Sequence, residues 1–284
     1  MASRKKRRKK NRSASGSAGR IWVPVTAALL TAAAVFFVFM LISKLSVNTS
    51  YKGLSHSEIP EMNTYRSSAF RRKKGLLKYE DDNFTSKAGI DVSTYQKKIN
   101  WKKVKKSGIR FVMIRVGYRS TDTGKIYKDK KFEKHYKGAK KAGLDIGVYF
   151  FSQAVNRKEA TEEAKFVLKN IRNKKITYPV AFDMEDTQDK DRHEDLSRKK
   201  RTLVADVFCQ IIKNKGFVPI MYGYPNWVYK KIDYTKLTKY DMWLAHYTEY
   251  SAYPFHYLIW QYTERGKVPG IKGKVDRDII FIKK

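Results

Sequence analysis

The stretch VAFDMED, residues 180–186, begins as an apolar strand and ends in three carboxylates. Burying a carboxylate costs free energy unless the group is paired or used in chemistry. Side chains two positions apart share a face of a strand, so Asp183 and Glu185 are predicted to project together, with Asp186 pointing away. A close pair of carboxyls titrates in two steps, and one member keeps its proton near neutral pH. The stretch therefore predicts a strand whose end carries acid–base chemistry.

Segments of the same kind recur from Lys87 onward. Eight short runs, rich in β-branched and aromatic residues, alternate with helical patterns. The runs are AGIDVS (88–93), RFVMIRVGY (110–118), DIGVYFFSQ (145–153), YPVAFDME (178–185), FVPIMYG (217–223), DMWLAHY (241–247), YLIWQYT (257–263) and KVDRDIIFI (274–282). One predicted helix ends at Gly143, the next begins at the N-cap Asn156, and a third ends at Gly216.

This alternation predicts an α/β fold. The later connections are short and contain little helix, so we expect a modified, incomplete (β/α) TIM-like barrel with about eight strands. A doubly wound open sheet is the alternative. No glycine-rich phosphate fingerprint follows the first strand.

Polar and aromatic side chains recur at the predicted strand ends, where barrels of this type carry their chemistry. A single aspartate at such a position is more often a helix cap or an ion-pair partner, but the repeated placement favours a functional rim. The acids at these ends are Asp91, Asp183, Glu185, Asp186, Asp276 and Asp278. The accompanying side chains are Tyr118, Tyr149, Gln153, Tyr222, Trp243, Tyr247, Trp260 and Gln261.

Residues 21–43 contain no charged side chain. As a helix they would extend roughly 34 Å, enough for the ~30 Å hydrocarbon core of a bilayer. A signal peptide has a shorter apolar core followed by a small-residue cleavage site, and LISKLSVNTS (41–50) is a poor one, so a cleaved signal is the less favoured alternative. The pattern predicts one transmembrane signal anchor in the cell membrane. The basic residues 1–20 predict a cytoplasmic N-terminus and an extracytoplasmic remainder.

Residues 44–86 lack sustained periodicity and are rich in polar and charged side chains. They are predicted to form a flexible stalk, with a partly folded extension on the domain as the alternative. The predicted organisation is thus a basic cytoplasmic tail (1–20), a membrane anchor (21–43), a stalk (44–86) and a folded domain (87–284).

The chain carries a formal net charge of +34, of which the nine basic residues in 1–20 supply only part. Such a field favours polyanions: nucleic acid, anionic lipid or an anionic wall polymer. The outward topology disfavours nucleic acid. The one cysteine, Cys209, lies in an apolar helical pattern and is predicted to be a buried small side chain. The five histidines are scattered, so no metal site and no cofactor is predicted.

Six segments, in order, resemble the glycoside hydrolase family 25 lysozymes, the β-1,4-N-acetylmuramidases. They are GIDVSTYQKKINW (89–101), FVMIRVGY (111–118), IGVYFFS (146–152), VAFDMED (180–186), MWLAHY (242–247) and WQYTERGKVPGIKGKVDRDIIF (260–281). The resemblance implies cleavage, with retention, of the bond between N-acetylmuramic acid and N-acetylglucosamine in peptidoglycan glycan strands.

By position, the resemblance implies that Glu185 is the general acid and that Asp183 assists the anomeric centre. Asp91 and Asp276 match two further acids of the family's cleft. Asp183 either attacks directly or orients the N-acetyl group of the substrate. The candidate substrate-binding residues are Tyr118, Tyr149, Tyr222, Trp243, Tyr247, Trp260, Gln261 and Asp278.

Two positions depart from the family pattern. Lys97 stands where a glycine is frequent, and Asp278 stands where an asparagine is frequent. Because all four acids remain, an active muramidase is expected, and a non-catalytic peptidoglycan-binding or anionic-polymer-binding module on the same fold is the alternative. Anionic wall polymers such as teichoic acids are expected as additional partners, and the membrane through the N-terminal helix.

Overall fold

The computed structural model describes residues 60–73, 75–187 and 190–284. These parts of the chain contain eleven strands and five α-helices. The strands are β1 (Phe70–Lys73), β2 (Leu76–Tyr79), β3 (Phe84–Val92), β4 (Phe111–Arg119), β5 (Ile126–Lys128), β6 (Asp145–Phe151), β7 (Val180–Asp183), β8 (Pro219–Gly223), β9 (Asp241–Ala245), β10 (Ile259–Gly266) and β11 (Val275–Lys283). The helices are α1 (Trp101–Lys106), α2 (Phe132–Lys141), α3 (Arg157–Ile171), α4 (Arg198–Lys213) and α5 (Pro225–Lys231).

Eight of the strands close into a barrel. Their order is β3-β4-β6-β7-β8-β9-β10-β11, and β11 pairs back onto β3, while β5 extends the sheet from β4. Each of the eight apolar runs in the sequence forms one barrel strand, so the barrel prediction is confirmed and the open doubly wound sheet is wrong. The helical layer is incomplete, as expected, because none of the described residues between β9 and β10 or between β10 and β11 is helical.

The last strand runs against the others. Barrel strands β3, β4, β6, β7, β8, β9 and β10 pair in parallel, whereas β11 is antiparallel to both β10 and β3. Asp276 therefore lies at the beginning of its strand and not at its carboxyl end, which corrects the expectation from sequence. The reversal still brings Asp276 to the same rim as the carboxyl ends of the parallel strands.

Apolar and aromatic side chains fill the barrel interior and are flanked outside by helices. The interior cluster contains Phe111, Met113, Tyr149, Ala181, Ile220, Tyr222, Trp243, Ala245, Ile259 and Ile280. Outside the barrel, Phe208 of α4 packs on Phe182 of β7, with ring centroids 5.1 Å apart. Cys209 is buried in the same helix and burial raises its pKa, which confirms its interpretation as a packing residue.

The helix boundaries follow the capping signals in the sequence. The Asn156 side chain accepts a hydrogen bond from the Glu159 backbone N–H and begins α3. Gly143 and Gly216 follow α2 and α4 with positive φ, where glycine carries no Cβ penalty. These predicted ends are confirmed, whereas the sequence analysis missed the short helices α1 and α5.

Residues 60–73 and 75–86, which belong to the predicted stalk, are folded onto the barrel, as the alternative of a partly folded extension describes. Strands β1 and β2 form an antiparallel hairpin, and Phe70 contacts Trp260 edge-on at 5.4 Å. Tyr65 stacks on Phe281 at 3.7 Å. Only a few apolar residues of this segment pack on the barrel, and charged residues separate them in the sequence. The segment therefore shows no sustained hydrophobic periodicity.

The predicted cytoplasmic tail, the membrane anchor and residues 44–59 lie outside the described residues. Among the residues that the structure describes, no helix combines the length and the apolar character that crossing a bilayer requires.

Candidate active site

A cleft of about 800 Å³ opens at the rim where the parallel strands end. All four acids predicted as catalytic line it: Asp91, Asp183, Glu185 and Asp276. Six of the eight predicted substrate-binding residues line it as well: Tyr118, Tyr149, Tyr222, Trp243, Tyr247 and Gln261. The fold thus brings together ten side chains that come from all eight barrel strands or the segments directly after them.

The pair in the opening stretch reaches the cleft as predicted. Strand β7 ends at Asp183, and Glu185 follows in the next segment, yet both line the cleft while Met184 between them is buried. The alternation of the strand therefore continues for two residues beyond its last ladder position. Asp183 is itself buried, and its Oδ1 has no hydrogen-bond partner within the described chain.

Asp186 points away from the cleft, which confirms its separation from the pair. Its carboxylate pairs with Arg201 and with Lys231, at 3.2 Å in each case. The side chains of Asp186, Asp191 and His193 each offer one atom that could bind a metal ion, and these atoms lie within 4.8 Å of one another. The spacing of these residues in the sequence did not reveal the grouping. Because Arg201 and Lys231 already pair with Asp186, this grouping offers a metal ion less uncompensated negative charge than its three residues suggest.

Asp91 and Asp276 form a second carboxyl pair. They are direct cross-strand neighbours in the β3–β11 ladder, a placement that is destabilising when both groups are ionised. Burial, with repulsion from Asp276 and Asp278, raises the pKa of Asp91 well above its usual range. Burial also raises the pKa of Asp276, to about 6. The pair therefore retains a proton near neutral pH.

Gln261 connects this pair to the aromatic wall of the cleft. Its Nε2 donates to Asp91 Oδ2 at 2.8 Å. Its Oε1 accepts from Tyr247 Oη at 2.6 Å and from Tyr222 Oη at 3.1 Å. The amide thereby fixes the two tyrosines and one carboxyl in a single hydrogen-bonded arrangement.

A β-bulge in β4 brings two further side chains to the cleft. Arg115 and Tyr118 are three residues apart and would face opposite sides of a regular strand, yet both line the cleft. The β4–β6 register shifts between Arg115 and Gly117, and this extra residue re-aims Tyr118. A Cβ at Gly117 would lie 2.4 Å from the Tyr127 carbonyl oxygen, so the bulge requires glycine.

Arg115 is the functional candidate that sequence reasoning missed. Its Nε pairs with the fully buried Asp129 at 2.9 Å. The signal was present, because Phe111, Met113 and Arg115 alternate on one face, and the first two lie in the barrel interior. The guanidinium supplies positive charge among the carboxyls of the cleft and opposes the rise in the pKa of Asp183.

Two of the predicted substrate contacts lie elsewhere. Trp260 is fully buried, its Nε1 donates to the His246 carbonyl at 2.8 Å, and it faces the β1–β2 hairpin, because Gln261 occupies the cleft-facing position. Asp278 is fully buried beneath the cleft, where Oδ1 accepts from Trp243 Nε1 at 2.9 Å. Both predictions of sugar contact are therefore wrong. Strand alternation points both side chains away from the cleft, but this could be predicted only if the pairing register of β10 and β11 were known.

The electrostatics distinguish the two members of the Asp183–Glu185 pair. Burial, with repulsion from Asp276, Asp191 and Asp186, raises the pKa of Glu185 to about 7. Burial and repulsion from Glu185 raise the pKa of Asp183 well above its usual range, a rise that Arg115 opposes. Both carboxyls therefore favour the protonated form, and the pair retains at least one proton near neutral pH. A carboxyl with a pKa of about 7 beside a second carboxyl, as Glu185 is, is suited to protonate a leaving group.

An eight-stranded α/β barrel with paired carboxyls in an aromatic cleft defines the class of glycoside hydrolases. The model of the family described as "Glycosyl hydrolases family 25" matches residues 90–271. This protein belongs to that family, and the resemblance seen in the sequence is confirmed at the level of the family.

Individual relatives agree with this assignment. The chain is 30% identical over 202 residues to Lysozyme M1 of Streptomyces globisporus, with 67% of this chain and 66% of the relative aligned. It is 29% identical over 191 residues to the autolytic lysozyme of Clostridium acetobutylicum, with 67% of this chain and 54% of the relative aligned. The matched regions thus span about half to two thirds of those relatives.

Among solved structures, the modular autolysin LytC of Streptococcus pneumoniae, determined in complex with a synthetic peptidoglycan ligand, superposes with a TM-score of 0.63. The sequence identity is 22%, and the superposition covers 75% of this chain and 52% of LytC. This similarity supports the fold.

Proposed function

We propose that this protein is a membrane-anchored muramidase that hydrolyses the β-1,4 bond between N-acetylmuramic acid and N-acetylglucosamine in peptidoglycan. The observation that carries the proposal is the pair at the end of β7: Glu185, whose pKa is raised to about 7, beside Asp183, in a cleft lined by aromatic side chains. Membership of the family gives the reaction class.

In this mechanism Glu185 donates its proton to the glycosidic oxygen as the bond to the anomeric carbon breaks. Asp183, whose ionised form Arg115 favours, stabilises the positive charge that develops at that carbon. It does so either by attacking directly or by orienting the acetamido oxygen of the substrate, which then closes on the carbon. Glu185, now ionised, accepts a proton from the water that completes hydrolysis.

The remaining cleft residues position the sugar. Tyr118, Tyr149, Tyr222, Trp243 and Tyr247 offer aromatic faces and hydroxyls to the glycan. Gln261 holds Asp91 and the tyrosines in place. Asp91 and Asp276 share a proton, which lets two carboxyls lie in one wall of the cleft without full repulsion.

The proposed function includes a location in the cell membrane. The uncharged residues 21–43 span the cell membrane once, with the basic residues 1–20 in the cytoplasm and the barrel outside. The enzyme would then act on wall close to the membrane.

The charge excess supports a second kind of partner. Beyond residue 20 the chain carries about +25, so anionic wall polymers such as teichoic acids would concentrate it at its substrate. Adsorption of the protein to purified walls should weaken steeply with salt. Adsorption that is unchanged by salt, or by removal of the polymers, would contradict this part of the proposal.

The deciding experiment incubates the full-length protein and its Glu185→Gln variant with purified peptidoglycan. Mass spectrometry then identifies the reducing-end sugar of the released fragments. Muramic acid ends that vanish in the variant are expected. N-acetylglucosamine at the reducing ends would still show a glycoside hydrolase but would contradict the assigned bond. Wall binding without release by either protein would establish the non-catalytic binding module instead.

A further inference from the structure

A second groove, of about 640 Å³, adjoins the active-site cleft. The two share Tyr247 and Glu264 in their walls. Three of its ten lining residues lie outside the segment 90–271 that the family model matches: Arg72 and Gly75 of the β1–β2 hairpin, and Arg277 of β11. The hairpin therefore extends the cleft with a wall of its own.

Arg277 is held rigidly in this groove. Its Nη1 donates to the carbonyl oxygen of Gly75, at the turn of the hairpin. Its Nε is buried and has no hydrogen-bond partner in the described parts of the chain. Gly266 leaves the space that the side chain fills, because a Cβ there would lie 2.4 Å from that Nε. A guanidinium fixed in this way at the turn of the hairpin is a preorganised anion ligand.

Arg72 supplies a second guanidinium to the lining of this groove. It lies 5.9 Å from the ring centroid of Tyr262 and is otherwise exposed. Among the described residues, neither Arg72 nor Arg277 forms an ion pair with a carboxylate, whereas Arg265 in the same groove pairs with Glu264 at 3.2 Å. Two uncompensated cations thus face one remaining carboxylate, Glu249, which leaves the groove net positive.

We propose that this groove is a subsite for an anionic substituent of the glycan strand that occupies the cleft. The ligand chemistry is a carboxylate or phosphodiester that two arginines can hold together, supplied by the peptide stem of muramic acid or by an attached wall polymer. Because Tyr247 and Glu264 line both spaces, a substituent leaving the sugar beside Tyr247 enters the groove directly. The subsite rests on the proposed muramidase function.

The test compares full-length wild type with Arg72→Ala and Arg72→Glu on three solubilised substrates. One is glycan with peptide stems and no polymer, the second is glycan with polymer and no peptides, and the third is glycan stripped of both, which keeps only the lactyl carboxylate. We expect Arg72→Ala to lower kcat/KM about tenfold on at least one decorated substrate, with a larger loss for Arg72→Glu. On stripped glycan the loss should stay below about twofold.

The matched control is Arg71→Ala, the adjacent exposed arginine of β1, which does not line the groove. It removes the same charge from the same strand and should leave all three rates unchanged. The decorated substrate that responds to Arg72 identifies the source of the anion. An equal loss on all three substrates, no loss on any, or the same loss with Arg71→Ala would overturn the subsite.

Binding separates this proposal from the proposed function. In a Glu185→Gln background, affinity for the decorated glycan is measured with and without Arg72→Ala. If wild type releases no fragments from any substrate, the muramidase proposal fails, and weaker binding after Arg72→Ala would still support an anion subsite. If wild type cleaves all three substrates and Arg72→Ala changes neither rate nor affinity, only the subsite fails.

Discussion

Two glutamates of this protein have a pKa raised to about 7, and they differ in what surrounds them. Glu163, on α3, is fully buried, and burial is the main cause of its shift. Glu185, after β7, is partly exposed in the cleft, and its shift comes from burial together with repulsion from neighbouring carboxyls.

The partners of the two glutamates are opposite in kind. Glu163 accepts from Arg119 Nε at 2.7 Å and from Ser152 Oγ at 2.6 Å, so both of its oxygens are used within the protein. Within the described chain no cation pairs with Glu185, and the charges that act on it are other acids. A raised pKa alone therefore does not identify a catalytic acid; access to a cleft and an unused proton do.

The largest expected effect is that of Glu185→Gln. Removing the proton donor should lower kcat on peptidoglycan by about 10²–10⁴-fold while leaving the free energy of unfolding within about 1 kcal/mol of wild type. Steady-state release of reducing ends and urea unfolding measure the two quantities. A kcat within threefold of wild type would show that Glu185 is not the catalytic acid. The functional distinction between Glu185 and Glu163 would then be wrong.

Glu163→Gln should show the reverse pattern. It leaves the buried Arg119 without its closest partner, which is expected to cost about 3 kcal/mol in the free energy of unfolding. The remaining folded protein should keep the pH dependence of wild type. Glu162→Gln is the matched control, because this half-exposed partner of the same arginine should cost less than about 1 kcal/mol. If both variants lost the same free energy of unfolding, the buried Arg119–Glu163 pair would not be the stabilising contact.

The pH dependence gives an intermediate effect. Glu185 must be protonated to act as the acid, and its raised pKa of about 7 keeps it so at neutral pH. As pH rises through that value the group ionises, so kcat/KM should fall with an alkaline limb near pH 7, approaching tenfold per unit. A profile flat to pH 9 would show that a different group holds the essential proton. Glu163→Gln should not shift the limb.

The smallest effect is expected for Asp278→Asn. Burial, with repulsion from Asp276, raises the folded-state pKa of Asp278 above its unfolded value. Ionisation therefore opposes folding, and the penalty develops as pH rises from the unfolded pKa through the folded one. An amide oxygen still accepts from Trp243, so the variant should gain about 1 kcal/mol at pH 8 and less at pH 4. Thermal unfolding at pH 8 and at pH 4 tests this prediction. An equal gain in stability at the two pH values would mean that ionisation of Asp278 does not destabilise the fold.

Much of the site was readable from the chain because strand alternation is local. The run containing Asp183 and Glu185 specifies which of its carboxyls share a face, and the structure places both in the cleft and Asp186 outside it. Arg115 was equally readable, since it continues the alternation of Phe111 and Met113. Tyr118 was predicted from its position at a strand end, although only the bulge after Arg115 explains why it reaches the cleft.

Long-range pairing was not readable. The sequence of β11 carries no sign that it runs antiparallel, because direction is set by which strands it joins. Trp260 and Asp278 were assigned to the cleft for the same reason: their type suits a sugar site, but the register turns one outward and buries the other. The hairpin was missed because its few apolar residues are stabilised by contacts with Trp260 and Phe281, distant along the chain.

The sequence by itself determined the eight barrel strands, the ends of the main helices, the acid pair and the family. Each of these follows from spacing within a short window, where alternation and capping act through neighbouring residues. The tertiary structure decided the direction of the last strand, the pairing of Asp91 with Asp276, the place of Arg115 beside Asp183 and the groove built by the hairpin. Those features join residues far apart in sequence, and their energies arise only once the barrel has closed.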